Sequence, residues 1–284
     1  MKKLIPMLLM LFLLTGCFKQ DNLDGIDIYT TVYPIEYIVT KLYGNHSSVY
    51  SIYPDEVNID NYELTKKQIK DYSSSNMYIF NGLSKEKDYV SEMFKYNKNL
   101  MIIDASSTME YNYSNSELWL DPSNFLMMAL NIKNGLTEYI ENHYLKNEIE
   151  ENYESLKVEI SNIDARLKLL SENADSSTII VDSNVFKYLE KYGFTVISLE
   201  EGATLTDKIL SDAKKAIEED NINYIFTFDK ANLNSTVQSF ISEYKLEPLE
   251  FKTLSNLTDD ERKLNEDYIS LLNENIETLK NELY

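Results

Sequence analysis

One stripe of apolar residues constrains the architecture of this chain more than any other feature. Leu145, Ile149, Leu156, Ile160, Ile163, Leu167 and Leu170 recur at spacings of three, four and seven residues, with Glu, Lys and Asn filling most of the positions between them. That period places all of them on one face of a helix, and about 26 residues at 1.5 Å each make a rod of roughly 39 Å. The stripe lasts only about four heptads and patterned segments flank it on both sides. It therefore predicts a rigid spine between two folded units rather than a free coiled coil.

The flanking segments alternate β-rich runs with amphipathic helical stretches, the pattern of a sheet covered by helices. Before the spine, strands are expected at 26–32, 49–53, 77–81 and 100–105, with helices at 35–43, 65–73 and 85–96 between them. After it, strands are expected at 178–182, 195–199, 224–228 and 249–253, with helices at 185–192, 207–220 and 235–244. A last helix over 262–284 carries Leu264, Tyr268, Leu272, Ile276, Leu279 and Leu283 on one face. The fold class is α/β: two α/β lobes bridged by one long helix.

The N-terminus carries an address. Lys2 and Lys3 precede an apolar run from Leu4 to Leu14, and Leu14-Thr15-Gly16-Cys17 closes it. A positive start, an apolar stretch too short to span a bilayer and a small residue before cysteine are the marks of a lipoprotein signal peptide cleaved before Cys17. Cys17 is the only cysteine among the 284 residues, which excludes an intramolecular disulfide and a thiolate metal cage and leaves lipid attachment as its role. The expected boundaries are a signal peptide over 1–16, a lipidated tether over 17–25, a first lobe over 26–141, the spine over 142–174 and a second lobe with its terminal helix over 175–284. The mature chain is expected on the extracytoplasmic face of the cell membrane, held by its lipid.

Charge narrows the partners. With 27 Lys and Arg against 47 Asp and Glu, the net charge of −20 argues against nucleic-acid binding and favours solubility or a field that attracts cations. Enzymatic signatures are missing: there is no Gly-x-Ser-x-Gly elbow, His-Glu-x-x-His helix or phosphate-cradling glycine loop. A role other than catalysis is expected.

Four segments, in order, carry a resemblance. They are Thr30-Thr31-Val32-Tyr33-Pro34; Asp60-Asn61-Tyr62-Glu63-Leu64-Thr65 followed by Tyr78-Ile79-Phe80-Asn81-Gly82-Leu83; Leu118-Trp119-Leu120-Asp121-Pro122; and Asn265-Glu266-Asp267-Tyr268 leading into Leu271-Leu272-Asn273-Glu274-Asn275. Together they resemble the solute-binding lipoproteins of zinc and manganese ABC transporters over nearly all of residues 26–284. The resemblance implies a cleft between the lobes that holds a divalent metal ion as cargo, zinc or manganese, an ABC permease as partner, and a monomer. Carried over position by position, the family's metal ligands fall on Asp60, Glu117, Ser183 and Ser255.

None of those four is histidine. His46 and His143 lie outside the matched motifs and are expected to be solvated, and 106–116 contains no histidine-rich loop. Zinc favours imidazole and thiolate, whereas carboxylate, hydroxyl and carbonyl oxygens suit harder cations. Asp60 and Glu117 can supply two hard ligands, with Asp182 and Asp229 compensating from the C-terminal ends of strands, where α/β lobes place their ligands. The alternative is a degenerate member of the family that has lost the metal and serves in adhesion, sensing or the binding of another ligand. Asp121 before Pro122 is expected to cap a helix, and Trp119 to pack between the lobes.

Overall fold

A computed structural model describes residues 23–110 and 117–284. The signal peptide, Cys17 and most of the tether fall outside the described residues, as does the stretch 111–116. Among the described residues, no helix is long and apolar enough to cross a membrane.

Two four-stranded sheets form the lobes. In the first, β1 (Ile26–Thr30), β2 (Ser47–Ser51), β3 (Met77–Phe80) and β4 (Met101–Asp104) stand in the order β2-β1-β3-β4. In the second, β5 (Thr178–Val181), β6 (Thr195–Ser198), β7 (Tyr224–Thr227) and β8 (Glu247–Glu250) stand in the order β6-β5-β7-β8. Every pairing is parallel, and the second lobe repeats the strand order of the first. Parallel strands covered on both faces read as continuous apolar runs, as in Met77-Tyr78-Ile79-Phe80, all buried. The order reverses between β1 and β3 and between β5 and β7. A crevice opens at such a switch point, beyond the strands' carboxyl ends.

The helices in the first lobe are α1 (Tyr33–Tyr43), α2 (Lys66–Tyr72), α3 (Lys87–Tyr96) and α4 (Pro122–Tyr139). The helix α1 starts two residues earlier than its apolar period suggests, because Pro34 fits a first turn whose amides need no partner. Asp121 caps α4, its side chain accepting from the Ser123 amide, with Pro122 at the first helical position. The span of α4 was not marked by sequence beyond that cap, although Phe125, Met128, Ala129, Ile132 and Leu136 form its buried face.

The spine, α5 (His143–Asn173), has 31 residues, and its buried face includes all seven residues of the stripe together with Tyr153. At 1.5 Å per residue it is about 46 Å long. It packs against α1 and α4 of the first lobe and against the terminal helix of the second. Its apolar face belongs to a hydrophobic core that continues from Ile28 and Ile38 in the first lobe to Phe226 and Leu279 in the second.

In the second lobe, α6 (Asp207–Glu219) and α7 (Ser235–Tyr244) follow expectation, whereas 184–192 is a 3-10 helix. The expected terminal helix is two: α8 (Asp259–Lys263) and α9 (Tyr268–Leu283). Asn265 takes a left-handed φ of 55°, and Asp267 opens α9 with a reciprocal capping box to Ser270. An Asp-x-x-Ser pattern was the available signal for that break.

His46 corrects an expectation. It is half-buried rather than solvated, with Nδ1 3.0 Å from Asp24 and Nε2 3.0 Å from Glu148 on the spine. Those carboxylates hold its pKa above the ordinary histidine value against the opposing effect of burial. His143 is exposed at the start of the spine.

Candidate functional site

A cleft of about 250 Å³ opens at the first lobe's switch point. Val32, two residues beyond β1, Asn81, just beyond β3, and Trp119 line it. Three carboxylates line it: Asp60, Glu86 and Glu117. The volume falls below the roughly 300–1,000 Å³ of pockets that take drug-sized organic ligands, which suits a small polar or ionic solute.

Each acid reaches the cleft differently. Asp60 lies on an exposed loop, where the Lys85 ammonium holds the backbone by bonding the carbonyls of Asp60 and Tyr62, both at 2.9 Å. Glu117 has left-handed backbone (φ 49°) and precedes the 3-10 turn Leu118–Leu120. Its carboxyl is pushed up to about 7, chiefly by burial and further by the negative charge of Asp60. Glu86 precedes α3 at the capping position, yet its side chain makes no cap bond. It is 3% exposed; one oxygen accepts from the Tyr53 hydroxyl at 3.1 Å and the other, Oε2, has no protein partner. Burial lifts its pKa to about 7 against the lowering effects of its own backbone amide, the Tyr53 bond and the Lys85 charge.

The second lobe meets this region through backbone carbonyls and through side chains. The indole Nε1 of Trp119 donates to the carbonyl of Thr253 at 2.7 Å, and the hydroxyl of Tyr268 donates to the carbonyl of Trp119. The amide of Tyr33 donates to the carbonyl of Ser255 at 3.0 Å. Arg262 joins Glu36 and Asp55, and the Asn256 amide bonds the Pro54 carbonyl at 2.6 Å. These contacts set the loop that carries Asp60 against the second lobe.

Of the residues singled out by sequence, Asp60 and Glu117 share the cleft. The others do not line it. The Ser255 hydroxyl pairs with that of Thr253 at 2.9 Å. Ser183 donates to Glu200 at 3.0 Å and accepts from the Val185 amide, capping the 3-10 helix. Asp182 accepts from the Thr227 hydroxyl across the β5–β7 switch point; its Oδ1 is buried without a partner, and burial, aided by Glu200, raises its pKa to about 6. Asp229 is exposed and spends its oxygens on its own turn, accepting from the Ala231 amide at 2.8 Å and from Asn232 at 2.7 Å, bonds that lower its pKa. Among the described residues, no three His, Cys, Asp or Glu side chains stand close enough to hold one ion together. Glu86 was missed by sequence reasoning. It falls inside the helix expected over 85–96, and nothing local marked its turn into the cleft.

Residues 28–282 match the family described as "ZnuA: Zinc-uptake complex component A periplasmic". The chain belongs to the ZnuA family. Among curated members, the zinc-binding protein AdcA of Streptococcus pyogenes serotype M1 is 21% identical over 304 residues, covering 92% of this chain and 57% of AdcA. The iron-binding protein YfeA of Yersinia pestis is 26% identical over 192 residues, covering 63% of this chain and 61% of YfeA. This ZnuA-family chain thus spans little more than half the length of the curated relatives it matches. Solved structures share its fold. The Zn(II)-bound ZnuA-like domain of Streptococcus pneumoniae AdcA superposes with a TM-score of 0.73 at 18% identity, covering 91% of this chain and 99% of that domain. The metal-dependent lipoprotein YcdH of Bacillus subtilis gives 0.74 at 19% identity, with 91% and 99% covered.

Proposed function

We propose that this protein is the extracytoplasmic receptor of an ABC importer, capturing a divalent metal cation and delivering it to a membrane permease. The observation that carries the reading is a small acidic cleft, holding Asp60 and Glu117 at the switch point of a ZnuA-family fold. Net charge of −20 adds a field that draws cations toward it. Asp60 and Glu117 supply the anionic ligands, and Ser255 and Ser183, with Asp182 and Asp229 as alternates, are the candidates for neutral or further donors as the lobes adjust. Zinc and manganese are both candidates for the cargo. Lipid on Cys17 keeps the receptor beside its permease, where local concentration can substitute for affinity. The receptor acts by binding rather than by catalysis, as a monomer.

Native mass spectrometry and calorimetry of the metal-free chain with Zn²⁺, Mn²⁺, Ca²⁺ and Mg²⁺ test the reading. Binding tighter than millimolar is expected for at least one ion, together with a metal-induced rise in melting temperature that an Asp60→Asn, Glu117→Gln double variant loses. No binding tighter than millimolar by any of the four sinks it.

A further inference from the structure

We propose that His46 is a protonation-controlled clasp, tying the point where the lipid-bearing N-terminus leaves the body to the start of the spine and loosening that hold as pH rises. Its meaning for the membrane rests on the receptor reading above, through the lipid on Cys17; the clasp itself does not.

His46 ends the 3-10 turn Gly44–His46, and its ring stands between two carboxylates, Nδ1 3.0 Å from Asp24 and Nε2 3.0 Å from Glu148. An ionised carboxylate only accepts hydrogen bonds, whereas a neutral imidazole carries a single N–H. Only the doubly protonated ring donates to both, so the arrangement belongs to the imidazolium. When the proton leaves, one nitrogen faces a carboxylate oxygen with no hydrogen between them, and that side of the clasp opens. Other elements packed on the turn bring no competing charge to the ring. From α1, Tyr43 sets its ring 5.5 Å from the imidazole, and Lys41 pairs with Glu159, farther along the spine. The first residue of β2, Ser47, donates its hydroxyl to the Tyr43 carbonyl.

The segment held by the clasp is the one that enters β1. The Tyr43 hydroxyl donates to the Leu23 carbonyl at 2.7 Å, and the Gly25 amide donates to the His46 carbonyl at 2.7 Å. Asp24 lies between these two ties, and its bond to His46 is the one that titrates near neutral pH. Burial works against charge on the ring, yet the bonds to Glu148 and Asp24 outweigh it and raise the pKa above 6.5. The folded chain thus holds this proton more tightly than the unfolded one. The clasp's contribution is fully present below about 6.5 and is lost as pH climbs through the higher folded value.

The tether leaves at the amino end of β1, and the cleft opens beyond that strand's carboxyl end. Its free length therefore sets how far the cleft can stand from the membrane. Cys17 precedes Leu23 by six residues, a reach of at most about 20 Å, and release through Gly25 adds about 10 Å.

NMR titration of the imidazole signals in the purified chain and in Glu148→Gln tests the clasp without touching the cleft. His46 is expected to titrate above 6.5 in wild type and at a lower pH in E148Q. A wild-type midpoint at or below 6.5, or the same midpoint in both chains, overturns the proposal. Hydrogen exchange reads the hold itself. Protection of the Gly25 amide, corrected for intrinsic rate, should fall about fivefold between about pH 5.5 and pH 8.5, the scale of a partly exposed ion pair, and His46→Gln should show the weaker protection at both. A change below about twofold in wild type would mean that other bonds hold this segment, and the clasp would be refuted whatever H46Q does. Intact mass of the chain extracted from its membrane reads the lipid separately. An unmodified Cys17 refutes the anchor, and with it the clasp's bearing on membrane distance, even where His46 titrates as expected.

Discussion

Replacing Glu86 by Gln in the metal-free chain should make the protein more stable at alkaline pH relative to wild type, and should do so progressively as pH rises. The reason is linkage. Burial raises the Glu86 carboxyl from 4.5 to about 7 in the folded state, so between those values the folded chain binds more protons than the unfolded one. Stability falls with rising pH wherever the folded state holds the extra proton. For Glu86 the contribution is fully present below about pH 4.5 and is lost as pH climbs through about 7. At 1.36 kcal/mol for each pH unit, the loss is about 3 kcal/mol. Glutamine has no proton to lose, so E86Q escapes it. Any fixed cost of burying the amide is common to all pH values and cancels in the comparison. Urea unfolding of both chains with chelator present, at pH 4 and at pH 8, reads the effect. The free-energy difference between variant and wild type should shift in favour of the variant by about 3 kcal/mol between the two conditions, or about 1 M in urea midpoint for a slope near 3 kcal/mol/M. The continuous core through both lobes predicts one transition at each pH. A difference that stays constant within about 0.5 kcal/mol would show that Glu86 titrates as an ordinary surface carboxylate, and would remove the physical argument for a strained acid in the cleft.

Two further substitutions test how the cleft is held. Trp119→Phe removes the indole donor to the Thr253 carbonyl and part of a side chain that is 2% exposed, and should cost about 1–3 kcal/mol in urea unfolding; a loss below about 0.5 kcal/mol would mean that the interlobe bond carries little. Gly82→Ala would set a methyl 2.1 Å from Oδ2 of Asp104, forcing aside a carboxylate that accepts from the Gly82 and Ser106 amides, both at 2.9 Å. Overpacking of this kind costs about 1–3 kcal/mol, and an unchanged thermal midpoint would show that Asp104 moves freely.

Most of the architecture was legible because it is written in short-range periods. The seven-residue stripe found its helix, and each expected strand has its counterpart, every observed strand ending one to three residues short of the expected limit. Those missing last residues include Asn81, which lines the first lobe's crevice, and Asp182, whose amide still donates to the Phe226 carbonyl at 2.9 Å. Two kinds of feature were not legible. The break between α8 and α9 depends on one left-handed residue, Asn265, inside a pattern that stays apolar on one face through Leu264 and Tyr268. The pairing of His46 depends on Asp24, 22 residues away, and on Glu148, 102 residues away, and no local period reports either.

By itself the sequence determined that this chain has two α/β lobes joined by a rod, one thiol, and no imidazole at the positions where its family's motif would place one. Those properties follow from residue identity and from spacings within a helix turn or a strand. Which acids face one cavity was decided only by tertiary structure. Glu86 and Asp229 look alike in sequence, each an acid at the entry of a turn or helix. Packing buries the first beside Tyr53 in the cleft and leaves the second exposed on its own turn. The difference lies in where the strand ends converge, and convergence is set by contacts between segments far apart in the chain.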